Sequence, residues 1–186
     1  MMSIQKSEIQ LDVSGQSVNA YLANGGGVGV LVLHAWWGLK PFFKEVCDQL
    51  AEQGFTALAP DLRDGQIAKT IDEAIALMEK SDGQLVGDIV IAAKDHLRGL
   101  AGGKIGVIGF SMGAAWALVL ASSTPEQVAA LVLFYGNEGV DYGKITANQI
   151  IGKILPQEKL EQQIEEVENG RLKRIWQKVT RKSKDA

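Results

Sequence analysis

Residues Lys104 to Ser122 read KIGVIGFSMGAAWALVLAS. The opening is an apolar, β-branched run of strand length, the remainder is a small-residue apolar run of helical length, and Gly109-Phe110-Ser111-Met112-Gly113 stands between them. A strand that turns into a helix through Gly-x-Ser-x-Gly raises the serine on a tight turn, where its hydroxyl projects above the sheet as a candidate nucleophile. The two glycines let strand and helix approach with no Cβ between them. The backbone N–H of Met112, at the start of the helix, is placed to donate to an oxyanion, with the helix N-terminal partial charge behind it. A serine hydroxyl is a weak nucleophile until a neighbouring base takes its proton. The same stretch therefore asks for a histidine, and the sequence has two, His34 and His96, both ahead of Ser111.

Working outward, strands and helices alternate over residues 1–144. EIQLDV and SVNAYLA flank Ser14-Gly15 and read as a hairpin. VGVLVLHA is an unbroken apolar run, as expected of a central parallel strand covered on both faces. From Pro41, PFFKEVCDQLAEQGF places Phe43, Val46 and Leu50 on one helical stripe, with Gly54 as the stop. The strand TALAPDL, a helical stretch over 68–80, the helix GQLVGDIVIAAKDHLRGL and, after the serine turn, the strand VAALVLFYG complete the series. Alternation at this spacing predicts an α/β fold, a mostly parallel sheet wrapped by helices in three layers.

At 186 residues, 46% hydrophobic and with a net charge of −3, the chain has the length and composition of one globular domain. The balance gives no reason to expect nucleic acid. No apolar run reaches the roughly 18 residues of a membrane span, and MMSIQKSEIQ has no apolar signal core. The single cysteine, Cys47, cannot form an internal disulfide, which fits a cytoplasmic location. The composition changes near Lys144. Residues 145–186 hold nine Lys/Arg against six Asp/Glu, a net of +3, whereas residues 1–144 hold ten against sixteen, a net of −6. We therefore expect a core domain over 1–144 and a divergent, mainly helical tail over 145–186.

A second candidate site lies in LHAWWGLKPFF, after the strand ending at Leu33. Beside a serine turn of this kind, the loop after that strand supplies the second oxyanion donor, here the N–H of Trp36. Trp36 and Trp37 are candidates to wall an apolar pocket, or else they cap the core. His34 is a candidate for a pocket residue or a base, because its strand runs next to the serine strand. His96, on the edge of a helix stripe, reads as structural or solvated. Cys47 reads as core, and Arg63 and Asp64 as a solvated loop or as contacts for an acidic substrate.

Over residues 7–144, the hairpin, VLVLHAWWGL, PFFKEVCDQLAEQGFTALAPDL, KIGVIGFSMGAAWAL and LVLFYGNEGVDY resemble the dienelactone hydrolase family of the α/β-hydrolase fold. The resemblance implies a cofactor-free, metal-free hydrolase of small carboxylic esters or lactones. Its nucleophile, often cysteine, falls at Ser111, and Met112 and Trp36 form the oxyanion hole. The family glutamate that helps ionise a cysteine falls at Ala35, so the chain departs toward a plain serine esterase. The resemblance also implies an acid and then a histidine beyond Ser111. GKILPQEKLEQQIEEVE is a weak echo of the acid segment, placing Glu158 at the acid position, and no histidine follows His96. The expectation is a fold lacking its last strands, an impaired hydrolase, and a sheet edge prone to self-association. The alternative is a non-catalytic binding or scaffold protein that keeps the pocket.

Overall fold

The computed structural model describes residues 4–135. Strands β1 (Gln5–Val13) and β2 (Gln16–Asn24) form the expected hairpin, pairing antiparallel in register from Gln5↔Asn24 to Val13↔Gln16. Its turn is made by Ser14 and Gly15, both at positive φ, and the Gly15 N–H donates to Asp12 Oδ1 at 2.9 Å. β3 (Gly29–Leu33), β4 (Thr56–Pro60), β5 (Ile105–Phe110) and β6 (Val128–Phe134) follow, and the sheet order is β1-β2-β4-β3-β5-β6. β2 joins β4 antiparallel, and the contacts β4/β3, β3/β5 and β5/β6 are parallel. The sheet is α/β and mostly parallel.

Side chains alternate along the central strands, which sorts them between two cores. Leu31 and Leu33 of β3, Leu58 of β4 and Ile105 and Val107 of β5 face one side. Val30 and Val32, Ala57 and Ala59, and Ile108 and Phe110 face the other. The first core is closed by α3 (Gly83–Ala101) through Val86, Ile89, Val90, Ala93 and Leu97, and by α4 (Met112–Ser123) through Ala114, Ala117, Leu118 and Ala121. The second is closed by α1 (Pro41–Glu52) through Phe43, Val46, Cys47 and Leu50. Each fully buried Leu or Val contributes about 1.5–3 kcal/mol relative to exposure, so the helices are held by these stripes rather than by propensity.

Helix starts follow local chemistry. Pro41 occupies the first turn of α1, where its missing N–H would have had no partner. Thr70 caps α2 (Ile71–Glu79), its hydroxyl accepting from the Glu73 N–H at 3.2 Å, and Asp82 caps α3, accepting from the amides of Gln84 and Leu85. The predicted helix over 68–80 is thus shorter, because Thr70 is extended and begins it one turn later. The expected tail over 145–186, Glu158 and the last-strand question lie outside the described residues.

Cys47 is wholly buried among Val46, Leu50 and Val32, and burial holds its thiol well above the ordinary range. Because the thiolate is the reactive form, native Cys47 is expected to resist a thiol reagent at pH 7 and to label only in denaturant. Labelling of the native protein at a free-thiol rate would contradict that packing.

Candidate active site

The turn after β5 shows why its residues are what they are. A Cβ on Gly113 would lie 2.2 Å from the Leu33 carbonyl oxygen and 2.7 Å from that of His34, so α4 rests directly on the β3 backbone. A Cβ on Gly109 would meet the Gly113 carbonyl oxygen at 2.5 Å and the Ala114 Cα at 2.6 Å. The two glycines therefore serve one close approach, of β5 and β3 to the first turn of α4.

Ser111 sits at the crest of that approach with φ 49° and ψ −112°, a conformation that costs a non-glycine residue of order 1–3 kcal/mol. Its N–H donates to the Phe134 carbonyl at 2.8 Å, and its own carbonyl accepts from Ala114 at 2.8 Å. Serine at an N-cap normally turns its hydroxyl onto the helix amides, a bond worth about 1 kcal/mol. Ser111 makes no such bond. The amides of Met112 and Gly113 open α4 and have no carbonyl behind them within the helix, which leaves donors beside Ser111. Below the turn, Phe110 stacks on Phe134 with centroids 4.7 Å apart and meets Phe42 and Phe43 edge to face.

The neighbouring strand ends bring His34, Trp36, Trp37 and the Asp61–Arg63 segment to the same rim, at the carboxyl ends of parallel strands. Trp36 and Trp37 are half-buried and packed edge to face at 5.4 Å, and the Lys40 ammonium lies 4.8 Å from the Trp37 ring. Gly38, at positive φ, is so near the Gln66 carbonyl that a Cβ would lie 2.2 Å from it, and the Ala68 N–H donates to the Trp37 carbonyl at 3.0 Å. The loop carrying the Trp36 amide is thus fixed against residues 66–68.

His34 is not placed as a base. Its ring is wholly buried, Nε2 accepts from the Leu62 N–H at 2.9 Å, and Nδ1 consequently carries the proton and donates to the Ala35 carbonyl at 2.6 Å. The ring turns toward β4, whereas Ser111 lies on the β5 side of β3. Burial pushes the imidazole down from 6.5 to about 4, against the opposing pull of the Ala35 carbonyl and the Asp61 charge. His34 ties β3 to β4, and it neither lines an open pocket nor reaches for a proton. His96 is exposed on α3.

Arg63 departs from the expected solvated loop. It is 6% exposed, with its guanidinium donating to the Leu77 carbonyl and touching the sulfurs of Met78 and Met112, while Nε has no protein partner among the described residues. Asp61 holds the turn, accepting from the amides of Arg63 and Gly65. A cation in a post-strand turn looks exposed in sequence, and its cover, Leu77, Met78 and Met112, comes from 14, 15 and 49 residues away. A cleft of about 210 Å³ lies beside Arg63, bordered by Asn19, Leu77, Lys80 and Val86, and Ser111 does not line it. Among the described residues no group of His, Cys, Asp and Glu is arranged to hold a metal ion.

A strained serine freed from its capping role between two glycines on a parallel sheet is the pattern that the family comparison meets. Residues 18–180 match the dienelactone hydrolase family. The chain belongs to the dienelactone hydrolase family. The match runs past Lys144, through most of the tail. "Protein usf" of Aquifex pyrophilus is 37% identical over 139 residues, covering 69% of this chain and 60% of that protein. The chain thus spans about three fifths of the length of that curated relative. The fold also matches a dienelactone hydrolase-like promiscuous phosphotriesterase from metagenomic libraries (TM-score 0.66, 21% identity, 91% of this chain and 79% of that one). A dienelactone hydrolase from Anabaena variabilis matches with TM-score 0.60 and 18% identity, over 89% and 95% of the two chains. These structures establish the α/β-hydrolase fold.

Two outcomes follow from this geometry. Gly113→Ala must move the β3 carbonyls or the first turn of α4, and is expected to cost about 1–3 kcal/mol or more of stability, read as a lower denaturation midpoint; an unchanged midpoint would refute the close approach. For His34, the unfolded chain takes a proton near 6.5 and the folded chain only near 4. Between these values the unfolded state binds more protons, so stability falls as pH falls, by up to about 1.4 kcal/mol per pH unit. His34→Gln is expected to flatten that slope in denaturation curves taken from pH 7 to 4.5, whatever it does to the midpoint.

Proposed function

We propose that this site is that of a hydrolase of small carboxylic esters or lactones, with Ser111 as nucleophile and the N–H groups of Met112 and Trp36 as the oxyanion hole. The observation that carries the reading is the backbone of Ser111, held at φ 49° at the start of α4 with its hydroxyl released from capping. Strain of this kind persists where the surrounding structure over-determines it, and here it serves presentation of Oγ. The reaction divides into two steps. Oγ adds to the ester carbonyl, the Oγ proton passes to a base, and the tetrahedral oxyanion is held by the two amides until it collapses with loss of the alcohol. Water then adds to the acyl-serine, and collapse releases the acid and returns the proton to Ser111.

The base is the weak part of this cycle. Both histidines of the sequence are accounted for, His34 by its bonds to Leu62 and Ala35 and His96 by its exposed place on α3. Glu158 keeps the acid position as a family-based assignment. We therefore infer turnover well below that of an intact hydrolase. The locking of His34 favours a second reading, a non-catalytic binding protein that retains the oxyanion pocket. The reduced, buried Cys47 supports a cytoplasmic setting, and among the described residues no helix is long and apolar enough to cross a membrane.

Purified protein is expected to hydrolyse nitrophenyl acetate no faster than the roughly 10³–10⁴-fold over water that an oxyanion hole and binding supply without a working triad. A rate typical of enzymes, lost in Ser111→Ala, would show that some group activates the serine and would overturn the inferred impairment. Failure of a methyl phosphonate monoester, which mimics the tetrahedral oxyanion, to bind at all would count against the oxyanion hole itself.

A further inference from the structure

Helix α2 carries an apolar face that its packing leaves largely exposed. Ile71, Ala74, Ile75 and Met78 recur at i, i+3, i+4 and i+7, which gathers them on one side of the helix. Only Ala74 is buried; Ile71, Ile75 and Met78 are 56%, 42% and 41% exposed. The corresponding stripe of α1 is buried at Phe43, Val46, Cys47 and Leu50, and that of α3 at Val86, Ile89, Val90 and Ala93.

The attachments of α2 show where this face looks. Met78, a member of it, touches the same Arg63 nitrogen as the sulfur of Met112, the residue that follows Ser111. Just before the helix, Ala68 is hydrogen-bonded to the Trp37 carbonyl, and Gln66 closes on Gly38. The α2 segment is thereby tied at one end to the Trp36–Trp37 loop and at the other to the elbow, the two segments that carry the proposed oxyanion donors. What the face offers is aliphatic carbon and a thioether, and Arg63, which Met78 touches, is also covered by the sulfur of Met112. From Ile71 to Met78 the helix rises about 10 Å, close to the length of an eight-carbon acyl chain.

We propose that α2 is the wall of an acyl subsite continuous with Ser111, in which Ile71, Ile75 and Met78 hold the apolar chain of a medium-length ester. The assignment rests on the Ser111 reading for its place in a reaction, and it makes chain length, rather than a polar group, the feature this wall selects.

Calorimetry with two phosphonate monoesters, one bearing a methyl and one an octyl group on phosphorus, tests it without requiring turnover. The octyl compound is expected to bind at least roughly tenfold tighter, and Ile71→Ser and Ile75→Ser each to cut that ratio roughly five- to tenfold. Ile91→Ser, which removes an equally exposed isoleucine of α3, should leave the ratio as it is. If the octyl compound fails to bind, or binds no tighter than the methyl one, or if Ile91→Ser acts as strongly as the α2 variants, the subsite is overturned. If the octyl compound binds with the α2 dependence and the methyl compound does not bind, the subsite stands and the oxyanion-hole reading falls. If the α2 variants change the sedimentation coefficient and leave octyl affinity untouched, the face belongs to a second copy of the chain and the subsite is overturned.

Discussion

The contact on which the site depends is between two pieces of backbone. Gly113 in the first turn of α4 presses on the carbonyls of Leu33 and His34, at a separation that no side chain survives. This approach fixes the height of α4 above the sheet, and Gly109 lets β5 enter beneath it. Once both ends are fixed, the single residue that joins strand to helix has little freedom, and Ser111 takes a backbone conformation that serine does not choose in isolation. The strained serine turn is a consequence of tight packing. Ala114 and Ala117, both fully buried, keep the rest of the helix thin enough to stay at that height.

Much of this is readable from residue types. Period-2 and unbroken apolar runs mark the strands, the Phe43/Val46/Leu50 spacing marks α1, and Gly-x-Ser-x-Gly between an apolar strand and an alanine-rich helix marks the elbow. These signals are local, and local chemistry enforces them. The sequence is less informative where a residue's environment comes from distant segments. Arg63 reads as a loop cation because it follows a strand end and is succeeded by Asp64 and Gly65, yet Leu77, Met78 and Met112 enclose it. His34 reads as a rim residue with a choice of partners, and its choice is made by the Leu62 amide, which the β3/β4 pairing brings to it.

The two rim residues that the structure redefines share a role. His34 and Arg63 both spend their polar atoms on holding segments together: His34 joins the ends of β3 and β4, and Arg63 joins α2 to the elbow. Their polarity is structural, and beside them the described elbow offers the first backbone amides of α4 and the Ser111 hydroxyl. Proton transfer is the function the site supports least, because its only rim imidazole is already bonded at both nitrogens.

The bond from the Ser111 amide to the Phe134 carbonyl has a consequence for the order in which the site comes into being. β5 and α4 are complete in sequence by Ser123, but the elbow between them is anchored by the last residue of β6, and Phe110 is stacked on that same residue. A chain emerging from the ribosome at about 5–20 residues per second would have its serine turn exposed for about a second before the strand that secures it is outside. During that interval the turn has no partner for its amide and Phe110 lacks its stacking partner, so the serine has little reason to hold its strained form. The serine turn is thus shaped by a strand made after it, and it is complete only once β6 has joined the sheet.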